Sequence, residues 1–368
     1  MTEVRVPKKS LLDSATRCFL LHEGGEACVY GLSVEGRGNL VLKWYKSHAR
    51  FDGSVISSIA NSPVDGLYRI LEFGEREGTP YVLYEFIDGV ASAEFDVIPV
   101  AEALVALRQV AKTLSALSEK GSHHGDLSPS NVLLTATGDT VLIDFGLVGL
   151  GAYAYAAPER FRGRTSDARS DMYSLGLLLY HWICGRDLVE TDVVLKTTGK
   201  LDSLDPFVEL KPTEKLYETG IFSPGELAAL EPIWTGLLRN SPEERFEDFD
   251  ELDEVLEIAL YKVCGGEIAI LKNKQNLAGR VEKMLQNVPA FSEPSDFCPF
   301  PYHVAQGVGK KFPVKLSVLC GLGLILLIVV AVLVFGDRNP DIDDVASMVL
   351  ENSRNLELKD LPASEVNP

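Results

Sequence analysis

The 368-residue chain lacks any paired metal-ligand signature: its six cysteines, at 18, 28, 184, 264, 298 and 320, form no C-x-x-C pair and no His/Cys cluster. Neither a zinc site nor a disulfide framework is implied, and free thiols suit a reducing compartment. Positive charge is also scarce. With 35 Lys and Arg against 53 Asp and Glu, the formal net charge is −18. That excludes the basic surface on which sequence-independent DNA or RNA binding depends, so nucleic acid is not an expected partner. The N-terminus, M-T-E-V-R-V-P-K-K-S-L-L-D, has no apolar run of the kind that marks a secretory signal. Residues ahead of any membrane segment are therefore expected to stay in the cytoplasm. Low-complexity and collagen-like repeats are missing too.

What is present starts with 46% hydrophobic residues, enough to bury at least one large core. One apolar run stands out. Residues 316–335 carry no charge and would form a helix of about 30 Å, at roughly 1.5 Å per residue, which matches a bilayer core. The alternative is a buried core helix. Lys310, Lys311 and Lys315 precede the run, while the fifteen residues after it hold Arg338 among several acids. The positive-inside rule then puts the N-terminal side in the cytoplasm and an acidic tail, 336–368, outside it.

Ahead of the run, two periodicities divide the chain. Short β-rich runs at 18–21, 28–33, 40–45, 68–73 and 81–86 alternate with Gly36, Gly38 and Gly78, which predicts a small, mostly antiparallel unit. From about residue 98 the period turns helical, through Val100, Leu104, Leu107, Val110, Leu114 and Leu117, until Gly121 stops it. S-P-G-E at 223–226 is a capping-box pattern opening another helix. The amphipathic run 249–263 predicts a further one. Residues 264–315 read as a linker, helical around 275–286.

Within the helical part lies H-G-D-L-S-P-S-N at 124–131, followed twelve residues later by I-D-F-G at 143–146. Around this pair stand L-V-L-K at 40–43, A-P-E at 157–159, D-M-Y-S-L-G at 171–176 and S-P-E-E-R at 241–245. In this order the set resembles the eukaryotic-like, Hanks-type Ser/Thr protein kinase family over roughly residues 17–262, and in particular its bacterial single-pass transmembrane members. The resemblance implies an α+β, bilobal protein-kinase-like fold, with a β-rich N-lobe at 17–90 and an α-helical C-lobe at 91–262. An N-terminal extension at 1–16, a juxtamembrane linker at 263–315, a transmembrane helix at 316–335 and a short extracytoplasmic tail complete the expected plan.

The same resemblance implies the chemistry. ATP and Mg2+ are the expected cofactors and a protein is the expected substrate, with phosphate passing to Ser or Thr hydroxyls. Asp126 would take the hydroxyl proton, Asn131 and Asp144 would hold magnesium, and Lys43 would pair with the nucleotide phosphates. Gly24, Gly25, Val29, Val41, Glu85, Ile87 and Leu133 would line the ATP site with Lys43. Asp171 would brace the catalytic loop, and Glu159 would pair with Arg245.

Several positions depart from the family pattern. The loop L-H-E-G-G-E-A-C-V-Y at 21–30 keeps one of three expected glycines, and Val41 stands where alanine is usual. The helix at 51–61, which should offer Lys43 a glutamate near Ser54, has Asp52 as its one acid. Gly125 replaces an arginine, Ser128 a lysine and Ala152 a threonine, and residues 147–156 contain neither Ser nor Thr. Activation by Ser or Thr phosphorylation of that loop is not expected. Losing one charge-stabilising group commonly costs on the order of 10²–10³ in rate. Two readings therefore stand: a membrane-anchored protein kinase, and a pseudokinase scaffold that binds nucleotide or a partner. A small-molecule phosphotransferase fits less well, since that class lacks A-P-E and D-x-x-S-x-G.

Overall fold

From Ala15 onward the chain builds a five-stranded antiparallel sheet of order β1-β2-β3-β5-β4. Its strands are β1 (Ala15–Glu23), β2 (Ala27–Val34), β3 (Gly38–Tyr45), β4 (Ile70–Arg76) and β5 (Thr79–Glu85), with helix α1 (Gly53–Asn61) between β3 and β4. The computed structural model describes residues 10–46, 53–145, 152–189 and 210–287. Period-two alternation gives β3 two faces. Leu40 and Leu42 join a cluster with Leu12, Cys18, Tyr30 and Leu83 on one side. Val41 and Tyr45 point to the other side, into the main core, and Lys43 lies between them in register with Val29 of β2 and Val82 of β5.

Residues 10–16, the described end of the expected extension, are part of this lobe. Leu12 is fully buried in the outer cluster, the Leu11 amide donates to Glu72 at 2.7 Å, and Arg76 pairs with Asp13 at 2.8 Å. The lobe therefore begins before residue 17, because the outer face of the sheet needs Leu12 to cover it.

The second lobe is helical. It comprises α2 (Val100–Glu119), α3 (Pro158–Phe161), α4 (Ala168–Cys184), α5 (Pro212–Thr219), α6 (Pro224–Leu237), α7 (Phe249–Cys264) and α8 (Glu267–Asn287). A small sheet of β6 (Gly89–Ala91), β7 (Val132–Thr135) and β8 (Thr140–Leu142) lies beside them. Helix starts are set by side chains that satisfy free backbone amides. Asp167 and Ser170 form a capping box on α4, Ser223 and Glu226 form the expected one on α6, and Asp248 caps α7. The lobes are joined through backbone as well as through the 86–88 connection. Tyr68 N–H donates to Leu142 O at 2.9 Å and Leu142 N–H to Gly66 O at 2.7 Å, which ties the N-lobe to the strand leading into Asp144.

Helix α8 is longer than the helix expected at 275–286, and it belongs to the core rather than to a linker. Leu277 and Val281 are fully buried and Leu285 nearly so. Arg280 pairs with buried Glu102 of α2 at 2.8 Å, and Lys274 with Asp139 of the β7–β8 turn at 2.5 Å. The helix approaches that turn so closely that a Cβ on Gly138, whose φ is +75°, would lie 2.4 Å from Lys274 O. Leu277→Ala is accordingly expected to cost about 2–5 kcal/mol, the usual range for emptying a buried leucine site. Thermal unfolding of the full-length chain reads this; an unchanged midpoint would mean the helix is only a tether.

The candidate span at 316–335, the rest of the linker and the acidic tail lie outside the described residues. Among the described residues, no helix is long and apolar enough to cross a membrane, and Cys18, Cys28, Cys184 and Cys264 are free thiols.

Candidate active site

Two loops meet below the N-lobe sheet. The first, residues 124–131, leaves α2 and enters β7 through a 3-10 turn at Pro129–Asn131. Its conformation is fixed from beneath. Asp171, near the start of α4, accepts from the His124 amide at 2.7 Å and from the Gly125 amide at 2.9 Å. Gly125 has φ +79°, a left-handed backbone that side chains disfavour, and its carbonyl accepts from Arg160 Nη1 of α3 at 2.5 Å. The His124 ring, itself buried, lies 2.9 Å from Ile143 O of the second loop.

These anchors hold the Asp126 carboxylate. One oxygen accepts from the Ala152 amide at 2.9 Å, and the other from Asn131 Nδ2 at 3.1 Å. Asn131 Nδ2 also donates to Asp126 O at 2.7 Å, which leaves the Asn131 amide oxygen as the group available to a cation. Burial raises the Asp126 pKa, with the charge of Asp144 adding to the rise; Ala152, His124 and Asn131 pull the other way without cancelling it. Asp126 is thus a stronger base than an ordinary aspartate. The Ala152 amide makes the contact for which the family pattern uses a threonine hydroxyl.

Asp144 follows β8 with φ +62°, one of two non-glycine residues of positive φ among those described. Such a backbone costs on the order of 1 kcal/mol and persists only where its surroundings impose it. Here Lys43 imposes part of it, Nζ lying 2.7 Å from Asp144 Oδ1. Burial alone would lower the Lys43 pKa, but the charge and hydrogen bond of Asp144, with Tyr45 and Glu26, together outweigh it and raise it. The expected acid on the first helix is not found: α1 contains no Asp or Glu, and Asp52 lies outside the described residues. Lys43 has found its carboxylate a hundred and one residues away instead.

The other candidate residues lie in the β1–β2 hairpin, on β2, β3 and β5, in the connection to β6 and on β7. Gly24 closes the β1–β2 hairpin, its amide donating to Ala27 O at 2.9 Å, and Gly25 is exposed at the tip. Val29 and Val41 face the main core from β2 and β3. Glu85 ends β5, Ile87 lies in the connection to β6, and Leu133 is buried on β7 opposite Val141. Asp144 and Asn131 supply oxygen donors, the hard ligands that magnesium takes in ones or twos alongside nucleotide phosphates. Their chemistry therefore fits a Mg-nucleotide.

Two features escape a reading of motifs. Arg160 directly follows A-P-E, yet nothing in the sequence shows α3 turning it toward the 124–131 loop, where its charge lies near Asp126 and Asp171. Tyr45 is the other. It shares a face with Lys43 by period-two spacing, and its ring centroid is 5.5 Å from Lys43 Nζ. The Glu159–Arg245 pair, by contrast, forms as the motifs imply, with both guanidinium nitrogens 2.8 Å from the two carboxylate oxygens.

Comparison with known proteins agrees with this arrangement. The protein kinase domain family matches residues 55–246. Among curated relatives, the serine/threonine-protein kinase PknL of Mycobacterium tuberculosis is 30% identical over 187 residues, which cover 44% of this chain and 47% of PknL. The DNA damage-responsive serine/threonine-protein kinase RqkA of Deinococcus radiodurans is 32% identical over 194 residues, 45% of this chain and 29% of RqkA. The chain thus spans less than half the length of these relatives. Among solved structures, the PknI kinase domain of M. tuberculosis superposes with a TM-score of 0.53 at 22% identity, covering 70% of this chain and 100% of that domain. At that identity the likeness speaks for the fold.

Proposed function

The chain belongs to the protein kinase family, and from that premise we propose that it transfers the γ-phosphoryl group of Mg-ATP to Ser or Thr hydroxyls of proteins. The observation that carries the proposal is the Asp126 carboxylate, bonded to Asn131 and to the Ala152 amide and standing near a Lys43–Asp144 pair. In the reaction the substrate oxygen attacks the γ-phosphorus, the bond to the ADP oxygen breaks, and the hydroxyl proton passes to Asp126. Lys43 would hold the α- and β-phosphates, and Asn131 and Asp144 would hold the magnesium. Bound magnesium would supply neutralisation of the charge that spreads over the phosphoryl oxygens. Val29, Val41, Ile87 and Leu133 offer the apolar surface for the adenine.

A scaffold that only binds nucleotide would have no need for a base held at both carboxylate oxygens, so the catalytic reading is preferred. Ser128 in place of a lysine argues for a slower enzyme, since one cation that would stabilise the transferring group is gone. The proposal further anchors the chain through residues 316–335 with its kinase lobes facing the cytoplasm. The uncharged run and its preceding lysines support this, as does the need for ATP.

Full-length protein supplied with Mg-ATP and generic protein substrates is expected to yield phosphoserine or phosphothreonine. Incorporation should disappear with chelator, with Lys43→Ala and with Asp144→Ala. Nucleotide binding without any transfer would overturn the enzyme reading. Equal incorporation by the variants would overturn the site. In sealed membrane vesicles the lobes should be open to protease from the cytoplasmic side alone, and the opposite result would sink the orientation.

A further inference from the structure

The partners of Lys43 pose a problem of physical chemistry. A buried ammonium needs compensation, and the carboxylate it has belongs to Asp144. On the proposed function, which this inference extends, Asp144 would also hold the magnesium, while its Oδ1 accepts from Lys43. A carboxylate shared with a dication would hold the ammonium less strongly, and α1 as described has no acid to add. A partner that binds no metal would keep Lys43 in place.

Tyr45 meets that requirement by position. It lies two residues from Lys43 on β3, so the pleat sends both side chains to the same face, and its ring lies under the ammonium at 5.5 Å. That is within the reach of a cation–π contact, which gains strength where water is excluded. Lys43 and Tyr45 are 6% and 2% exposed. The tyrosine is in turn fixed. Its hydroxyl is hydrogen-bonded with that of Tyr84 on β5, and the Tyr84 ring stacks on Tyr68 with centroids 4.4 Å apart and planes 6° from parallel. Tyr68 is bonded through its backbone amide to Leu142, two residues before Asp144. Three rings thus form a chain of contacts from the strand that carries Lys43 to the backbone beside β8, which leads into Asp144.

We propose that Tyr45, held by Tyr84 and Tyr68, is the permanent positioning partner of Lys43, replacing a helix carboxylate with an aromatic face. The ring does not compete for magnesium and cannot swing away with a helix. The three rings also link Lys43 to the segment carrying Asp144, because Tyr45 is on β3 and the Tyr68 amide is hydrogen-bonded to Leu142 of β8. Besides Tyr45, the charged groups facing Lys43 are Asp144 and Glu26.

The test uses full-length protein and three readouts: affinity for a fluorescent Mg-ATP analogue, the kcat and KM for ATP, and the pH profile of Lys43 acylation followed by mass spectrometry. Tyr45→Leu is expected to weaken nucleotide affinity and raise KM by about 30-fold, the equivalent of about 2 kcal/mol for a desolvated cation–π contact. It should also shift the acylation midpoint to lower pH, since the ammonium loses a stabilising partner. Tyr45→Phe keeps the ring and should recover all but two- to threefold of the affinity. Tyr84→Phe, which removes only the hydroxyl that fixes Tyr45, should move all three readouts in the direction of Tyr45→Leu by a smaller amount, and it serves if Tyr45→Leu does not fold. Parental affinity and acylation in Tyr45→Leu, or equal losses in Leu and Phe, would overturn the proposal. Affinity and acylation need no turnover. A chain that binds Mg-ATP but transfers nothing would therefore sink the kinase reading, while these two readouts still decide the role of Tyr45.

Discussion

Exchange of Asp126 for asparagine is expected to lower phosphate transfer by roughly 10²–10⁴-fold, the usual contribution of a positioned general base, with nucleotide affinity and thermal midpoint close to those of the parent. The variant is chosen for its geometry. Asparagine can present an oxygen to the Ala152 amide, which now donates to Asp126 at 2.9 Å, so the loop has reason to stay in place while the base is lost. Because burial raises the Asp126 pKa, the parent should lose activity on acidification at a pH above the ordinary aspartate value. The residual activity of the variant should lack that limb. A pH profile of kcat against one protein substrate, measured for both, checks the two statements together. An unchanged kcat would remove Asp126 from the reaction.

The largest effect on stability is expected at Arg245. Its guanidinium grips both oxygens of Glu159 at 2.8 Å, donates to Arg169 O at 2.6 Å and to Arg239 O at 2.9 Å, and lies 4.9 Å from the Tyr173 ring. The side chains of the pair are 0% and 4% exposed. Arg245→Ala strands a buried carboxylate, which typically costs about 3–5 kcal/mol; for a domain of this size that is a fall of roughly 6–20 °C in the unfolding midpoint. The double variant Arg245→Met/Glu159→Gln should recover part of the loss, because no charge then remains unpaired.

The same pair predicts a pH dependence. Burial alone would raise the Glu159 pKa, but the hydrogen bonds and charge of Arg245, with hydrogen bonds from Ser170 and the backbone, together outweigh it and leave it below the usual glutamate value. The folded state therefore binds its proton less readily than the unfolded chain does. The contribution to stability is full above the unfolded value of about 4.3 and is lost as pH falls through the lower folded value. Melting curves from pH 7 downward should fall more steeply in the parent than in the double variant.

How much of this was legible beforehand follows from the range of each interaction. The residues of H-G-D-L-S-P-S-N and I-D-F-G act near their own positions in the chain, so their order pointed to the fold and to Asp126 as the proposed base. The N-lobe strands and helices α2, α6 and α7 were legible because their apolar periodicity or caps are clear. Helix α8 was legible as a helix around 275–286, but its length and docking were not, since it buries a stripe of one residue per turn, Leu277, Val281 and Leu285, too narrow to separate a docked helix from a polar linker. Leu12 was missed for a similar reason: one apolar residue ahead of a strand carries no period. The partner of Lys43 could not be read at all. A missing helix glutamate can be seen in a sequence, but the aspartate and the tyrosine face that take its place are brought there by packing.

Arg160 has a consequence for control. The arginine that would sit between His124 and Asp126 to sense a phosphate is a glycine, and the Gly125 carbonyl is held by an arginine from the protein's own α3. On the kinase reading, the clasp between catalytic loop and substrate-side helix is written into the gene and is not added after synthesis. Such an enzyme would need no added phosphate to hold this contact. Its output in a cell would then depend on how many copies are made and which substrates are brought within reach, with no Ser or Thr on residues 147–156 to be phosphorylated.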